Sequence, residues 1–327
     1  MSDATAENRV LVLGSTVCDV VIDIDEFPTH GGDVTVTNEQ LQLGGCAYNV
    51  SDMLRHFGTA HTLCSPVGNG RYGAFVAQEF SQRGIPIFAR IDEDNGCCYC
   101  IVDKAGERTF LSRHGAEYLF NRAWFSDIAD GSYDALYVCG LELEERTSNA
   151  LVSFIEEKKR RATQEQRTLD VFFAPSPRVC EIQARSDYLE RLFALGAFLH
   201  LNRDEALRCT RAPTVETAAR ALTAKTHNSL VVTLGADGAY FLDARSGESG
   251  TVAAFPVPCV ADTIGAGDAH CGAVIAGVHC GLSLRSAVER ANAIAAAVVG
   301  VRGATLTDAE FAALGLCRHG SAQRQKM

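Results

Sequence analysis

Lysine is scarce in this chain. Its 327 residues include lysines only at 104, 158, 159, 225 and 326, and none of them follows a glycine. A P-loop of the form G-x-x-x-x-G-K-[ST] is therefore excluded. The first apolar run continues as VLGSTVCDVV, without the G-x-G-x-x-G turn that seats a dinucleotide pyrophosphate. Long basic runs are missing as well. Lys158-Lys159-Arg160-Arg161 adjoins Glu156 and Glu157 and reads as a solvated helix face. With a net charge of −10 and a pI of about 5.4, the surface repels a phosphate backbone. No stretch is apolar for the length of a membrane span. The opening MSDATAENRV lacks the basic start and apolar run of a secretory signal. Internal repeats and low-complexity linkers are also missing. These absences describe a cytoplasmic protein without nucleic-acid or membrane partners.

The chain is 47% hydrophobic, enough for one large α/β domain or a domain with an appendage. Its 13 cysteines are odd in number and scattered through apparent strands and helices. That pattern suits reduced, buried thiols better than a disulfide framework. Cys97-Cys98-Tyr99-Cys100 contains a C-x-x-C. In a strand Cys97 and Cys100 point to opposite faces, and no second C-x-x-C or close His pair completes a tetrahedral site. The expectation is small apolar strand residues rather than zinc ligands.

Residues 9–15, RVLVLGS, read as a buried strand ending at Gly14. TVCDVVIDID and DVTVTNEQLQLGG alternate as half-exposed strands do. Residues 47–57 put Val50, Met53, Leu54 and Phe57 at helical spacing, with Gly58 as the stop. HTLCSPVG (61–68) predicts one strand, YGAFVAQEFSQRG a helix, and CCYCIVDKAGERTFLS a hairpin turning at 103–106. From about residue 134 the rhythm changes. YDALYVCG, RTLDVFFAPS, AFLHLN and SLVVTLG are near-continuous apolar runs separated by helical segments. Parallel strands covered on both faces require such runs. The early alternating strands fit a separate small sheet. The tail after about residue 316 reads as frayed.

VADTIGAGDAHCG (260–272) places Gly265, Ala266 and Gly267 just before Asp268, at the mouth of a predicted helix. A helix start exposes unpaired N–H groups and a partial positive charge, and small residues let an anion approach them. An acid at the same spot can take a proton from a hydroxyl. Together the two describe phosphoryl transfer. An ordinary capped turn, with Asp268 complementing the helix dipole, is the other reading of these residues.

Here the chain resembles the PfkB (ribokinase-like) carbohydrate kinases. Asp262-Thr263-Ile264-Gly265-Ala266-Gly267-Asp268 is similar to that family's DT-x-GAGD, with Ile264 in place of the commoner threonine. Gly44-Gly45-Cys46-Ala47-Tyr48-Asn49 matches its G-G-x-x-x-N. Asn202-Arg203-Asp204-Glu205 resembles its N-x-x-E, and Thr233 to Gly238 its T-x-G-x-x-G loop. The motifs occur in the family's order, from Gly14 through Gly303-Ala304.

The resemblance implies a single ribokinase-like domain over residues 1–327. Its fold would be a central, mostly parallel sheet flanked by helices, with a small β-sheet lid from about 16–43 and 97–112. It implies an ATP-dependent kinase acting on a sugar or nucleoside hydroxyl. Asp268 would be the general base, and Gly265, Ala266 and Gly267 the anion hole. Asp19, Gly44, Gly45 and Asn49 would bind the acceptor. Asn202, Thr233, Gly235, Gly238 and Asn292 would bind the nucleotide. Glu205 would hold Mg²⁺ through water, and Asp262 a monovalent cation such as K⁺. Relatives pair through their lids, which implies a homodimer. His270, where the family has an apolar or small residue, either packs in its helix or reaches the pocket. Phe110, Tyr99 and Arg113 are candidates for acceptor selectivity. A non-catalytic sugar- or nucleoside-binding relative on the same fold is the alternative.

Overall fold

The apolar runs become strands buried on both faces. In the computed structural model, described here for residues 9–104, 106–144, 147–176 and 186–316, fourteen strands are assigned. They are β1 (Val10–Leu13), β2 (Val17–Ile24), β3 (Val36–Gly44), β4 (His61–Cys64), β5 (Pro66–Val67), β6 (Ala89–Arg90) and β7 (Cys97–Val102). The rest are β8 (Arg108–Arg113), β9 (Ala135–Cys139), β10 (Asp170–Ala174), β11 (Phe198–Asn202), β12 (Leu230–Thr233), β13 (Ala239–Leu242) and β14 (Ser249–Val252). The helices are α1 (Cys46–Phe57), α2 (Arg71–Arg83), α3 (Ser148–Gln164), α4 (Ser186–Ala194), α5 (Arg203–Thr210), α6 (Val215–Thr226), α7 (Ala266–His279), α8 (Leu284–Val299) and α9 (Asp308–Ala313). The sequence expectations for residues 1–8 and for the tail beyond 316 lie outside the described residues.

The main sheet has eight strands in the order β14-β13-β12-β11-β10-β9-β1-β4. From β4 to β12 every pairing is parallel, and β13 and β14 close one edge antiparallel. Two apolar layers cover its faces. One holds Val50 and Met53 of α1, Ala273 of α7 and Ala291 of α8 against Val12, Tyr137 and Val231. The other sets Leu151 and Ile155 of α3, Leu192 of α4 and Leu222 of α6 against Leu11, Leu136 and Val232. Alternate residues of one strand enter opposite layers, so these strands have no polar face to show in the sequence.

The alternating early segments form a second sheet, β3-β2-β7-β8. Here β2 pairs antiparallel with β3 and parallel with β7, and β7 and β8 make the expected hairpin. One face of this sheet packs on α2 through Cys18, Val20, Cys97 and Tyr72, with Ile22, Phe75 and Tyr99 beside them. β3 and β8 are largely exposed.

Two expectations change. The single strand read over 61–68 is two: β4 joins the main sheet, whereas β5 turns away at the buried Ser65 to pair with β6. Proline cannot donate to a ladder, so Pro66 suits the first position of a new strand. The reading of reduced thiols holds for Cys18, Cys46, Cys97, Cys98, Cys100, Cys139 and Cys271, while Cys209 is disulfide-bonded. Among the described residues no helix is long and apolar enough to cross a membrane.

Candidate active site

The turn before α7 depends on Gly265. Its φ is 70°, and a Cβ there would lie 2.5 Å from the Ala304 carbonyl oxygen. Glycine alone permits both the backbone and the contact. No side chain caps this helix. The Ala269 amide reaches back to the Gly265 carbonyl at 2.8 Å, which leaves the N–H groups of Gly267 and Asp268 for a ligand. Asp262 braces the turn. Its carboxylate accepts from the Ile264 amide at 2.8 Å and the Gly303 amide at 3.0 Å, and meets the Arg108 guanidinium at 3.2 Å. Both Asp262 oxygens are thus engaged by this chain.

Asp268 is the third residue of α7, in its first turn. Its Oδ2 accepts from Asn49 Nδ2 at 2.8 Å. Burial raises its pKa above the ordinary carboxylate value, against the pull of the Asn49 and Cys46 side chains. Helices α1 and α7 come close because Gly272 has no side chain; a Cβ there would be 2.8 Å from Met53 Cβ.

Asp19 approaches from β2. It is 9% exposed, and its pKa is pushed up to about 8, by burial first and then by Cys98, Asp268 and Asp262. Gly44 lies against it: a Cβ at 44 would sit 2.0 Å from Asp19 Oδ2. Gly45, at φ 98°, begins α1 and lets Ser15 pack on its backbone. The structure therefore brings Asp19, Gly44, Gly45, Asn49 and Asp268 to one place.

Beyond Asp268 opens a cavity of about 260 Å³, lined among others by Gly267, Asp268, Asn202, Glu205, Thr233 and His200. Asn202 and Glu205 form a reciprocal cap at the start of α5, each side chain accepting the other's amide at 2.9 and 2.8 Å. Burial raises the Glu205 pKa to about 7, opposed by the Asn202 amide and reinforced by Asp268 and Asp204. A carboxyl held near neutrality beside another acid fits a site that a divalent cation completes. One Glu205 oxygen serves the cap, and the other is left for a metal-bound water. Gly235 and Gly238 follow Thr233 with φ of 65° and 95°, and a Cβ at 238 would fall 2.0 Å from the Val252 carbonyl. They shape the loop beside the cavity.

Asn292 and His270 lie elsewhere. His200 Nε2 is 2.8 Å from His270 Nδ1, and His270 Nε2 is 3.0 Å from Asn292 Oδ1. Asn292 Nδ2 donates to the Val252 and Ala253 carbonyls, both at 3.0 Å. Burial lowers both histidines, His270 to about 4, so the rings are neutral. The chain of donors then runs His200 to His270 to Asn292 to backbone. His270 packs inside α7, and the Asn292 amide is consumed in tying α8 to the residues after β14. Tyr99 points to α2, bonding the Tyr72 hydroxyl at 2.8 Å, and Arg113 donates to the Asn95 carbonyl at 2.9 Å. Phe110, opposite Cys100, lies on the Asp19 face.

Sequence reasoning missed Glu142. It is fully buried just after β9, and its Oε1 accepts from the Ser15 amide at 2.8 Å. Gly14 is required beside it, since a Cβ there would be 2.7 Å from the same oxygen. The available signal was an acid just past the carboxyl end of a parallel strand, where open α/β sheets place their sites. Glu117 was also missed; it accepts from the Gly96 and Gly115 amides at 2.7 and 3.0 Å.

Glu142 carries a stability prediction. Burial, against the Ser15 contacts and with Asp268 nearby, raises its pKa from 4.5 to about 7. Below pH 4.5 folded and unfolded chains both hold the proton; between 4.5 and about 7 only the folded chain does. Stability therefore falls as pH rises through that window, by on the order of 3 kcal/mol for this group. Glu142→Gln should flatten the slope. Urea midpoints at mildly acidic and mildly basic pH check it, and an unchanged slope would place the titration elsewhere.

The pfkB family carbohydrate kinase pattern matches residues 7–310. The sugar kinase YegV of Escherichia coli (strain K12) is 32% identical over 308 residues, 93% of this chain and 92% of that protein. Ketohexokinase of Mus musculus is 25% identical over 304 residues, 91% of this chain and 98% of its own. A solved ribokinase of Arabidopsis thaliana, complexed with ribose and ATP, superposes with a TM-score of 0.72 at 17% identity, over 95% of this chain and 99% of that one.

Proposed function

Since the chain belongs to the pfkB family of carbohydrate kinases, we propose that it moves the γ-phosphoryl group of ATP to a hydroxyl of a sugar or nucleoside, with Asp268 as general base. One observation carries this reading. The Asp268 carboxyl lies between the open amides of the Gly265–Gly267 turn and the polar group made by Asn49 and Asp19. An acceptor alcohol held by Asp19 and Asn49 would have its proton beside Asp268 and its oxygen facing the phosphate.

The turn amides would take the charge that builds on the transferred phosphoryl oxygens. Mg²⁺, held through water at Glu205 with Asn202 fixing that side chain, would neutralise the nucleotide phosphates. Thr233, Gly235 and Gly238 would line the nucleotide, and Asn292 would position the wall near β14 through its carbonyl contacts. Asp262 we assign to bracing the turn, since two amides and Arg108 hold it. A screen of ATP consumption against sugars and nucleosides tests the activity. Thermal shift with ADP and Mg²⁺ accompanies it; no turnover and no nucleotide response would sink the kinase reading.

Asp19 gives a second measurement. Assayed above pH 8, where its carboxyl is ionised, Asp19→Ala should remove a charged acceptor worth about 1.5–3 kcal/mol of binding, raising the acceptor KM roughly 10–150-fold with a smaller change in KM for ATP. A rise in the ATP KM alone would move Asp19 out of the acceptor site.

The second sheet is read as a lid that closes over the acceptor and excludes water. Its outer strands expose Val36, Leu41, Phe110 and Leu111. An apolar surface of that kind supports a homodimer through the lid.

A further inference from the structure

The lid holds two thiols that phosphoryl transfer does not use, beside Asp19, which it does. β2 and β7 run parallel, with Asp19 directly opposite Cys98. Cys98 and Cys100 are two apart on one strand, so both sulfurs lie on the Asp19 face, while Cys97 and Tyr99 turn to α2. The two sulfurs are 3.7 Å apart. A carboxylate oxygen of Asp19 and both sulfurs all fall within 4.8 Å of one another, among the described residues. Asp19 and Cys100 are buried, and Cys98 is partly open.

We propose that Asp19, Cys98 and Cys100 bind a thiophilic divalent cation of the Zn²⁺ type, and that its occupation blocks the acceptor pocket. Two sulfurs bound at about 2.3 Å to a tetrahedral ion stand about 3.8 Å apart. The pair therefore already has chelating spacing. Two sulfurs and one carboxylate oxygen leave a fourth position for water. Ser112 adds an outer contact, its hydroxyl donating to Cys98 Sγ at 3.5 Å. Such partners orient ligands and tune the ion.

A disulfide fits this strand less well. It requires a sulfur separation of about 2.05 Å and Cα atoms no more than about 6.8 Å apart. Residues two apart on an extended strand span about 6.6–6.8 Å, the outer limit. Metal binding needs no such contraction. It releases the thiol protons to solvent and oxidises nothing. The sequence had set Cys97 against Cys100 and found them on opposite faces. The chelating pair is Cys98 with Cys100, and its third ligand comes from a neighbouring strand that only the fold supplies.

The binding half of this proposal stands on geometry. The blocking half rests on the reading of Asp19 as an acceptor ligand, and the experiment separates them. The full chain, reduced and treated with chelator, is titrated with Co²⁺ while sulfur-to-cobalt charge-transfer absorbance is followed. One equivalent should develop the band, and Zn²⁺ should bleach it. The Cys98→Ser/Cys100→Ser double variant, checked for folding by its melting curve, should lose it. Asp19→Asn and Ser112→Ala should each weaken Co²⁺ binding about 10-fold or more. No band in the parent, or a parent-strength band in the double variant from thiols such as Cys259 or Cys280, overturns the site. In the kinase assay with excess MgATP, the half-inhibitory Zn²⁺ concentration should rise more than about 100-fold in the double variant, each protein normalised to its zinc-free rate. A cobalt band without any zinc effect on turnover overturns the blocking role alone. If the substrate screen yields no activity, the cobalt titration still decides the site.

Discussion

Asp268→Asn is expected to lower kcat by about 10²–10⁴-fold, the range for losing a positioned general base. Its amide oxygen can still accept from Asn49, so the contact that sets the side chain survives at nearly the parent geometry. What disappears is a group able to take the alcohol proton. The acceptor KM should change little, because Asp19 and the glycine pair remain. Stability should hold or rise, since the variant removes a carboxylate whose buried charge is disfavoured. The parent's pH profile should climb through a pKa above the ordinary carboxylate range, because only ionised Asp268 accepts a proton. Steady-state kinetics with the acceptor from the screen, and a melting curve, check both halves. Turnover equal to the parent's would remove Asp268 from the chemistry.

Gly265→Ala should be the second most damaging change. The position requires φ of 70°, and the added Cβ would meet the Ala304 carbonyl oxygen at 2.5 Å and Ala304 Cβ at 2.6 Å. Ala304 is a backbone neighbour at the far side of the turn, so the clash is not relieved by a side-chain rotation. The left-handed conformation alone costs roughly 1–2 kcal/mol for a residue with a Cβ. The turn must then shift, and it aims the Gly267 and Asp268 amides. Losing one aligned donor to a developing negative charge typically costs about 10²–10³-fold in kcat. The expected result is a drop of that size with a modest fall in melting temperature. Normal kcat in a folded variant would show that these amides do not hold the phosphoryl group.

Much of the site was legible because its chemistry sits in short, local patterns. The Gly265–Asp268 turn encodes its own conformation, since glycine marks the positive φ and the acid follows at the helix start. The Asn202–Glu205 cap is likewise local, an acceptor and an acid three residues apart. Glu142 was not legible in that way. Its partner, Ser15, is 127 residues away, and nothing beside Glu142 records the encounter. The contacts of Asn292 and His270 were not legible for the same reason. A buried asparagine on a helix looks alike whether it meets a ligand or, as here, a histidine and two carbonyls contributed by other elements.

Residue order alone determined the alternation of buried strands and helices, the small second sheet, and the family motifs in their sequence. Those follow from periodicity and from backbone conformations that only certain residues adopt. Tertiary structure decided which distant groups share a low-dielectric space. Pairing β2 with β7 sets Asp19 beside two sulfurs, and packing α1 on α7 sets Asn49 against Asp268. Burial then moves the ionisation of these acids, an effect that depends on the surrounding volume and not on neighbours along the chain.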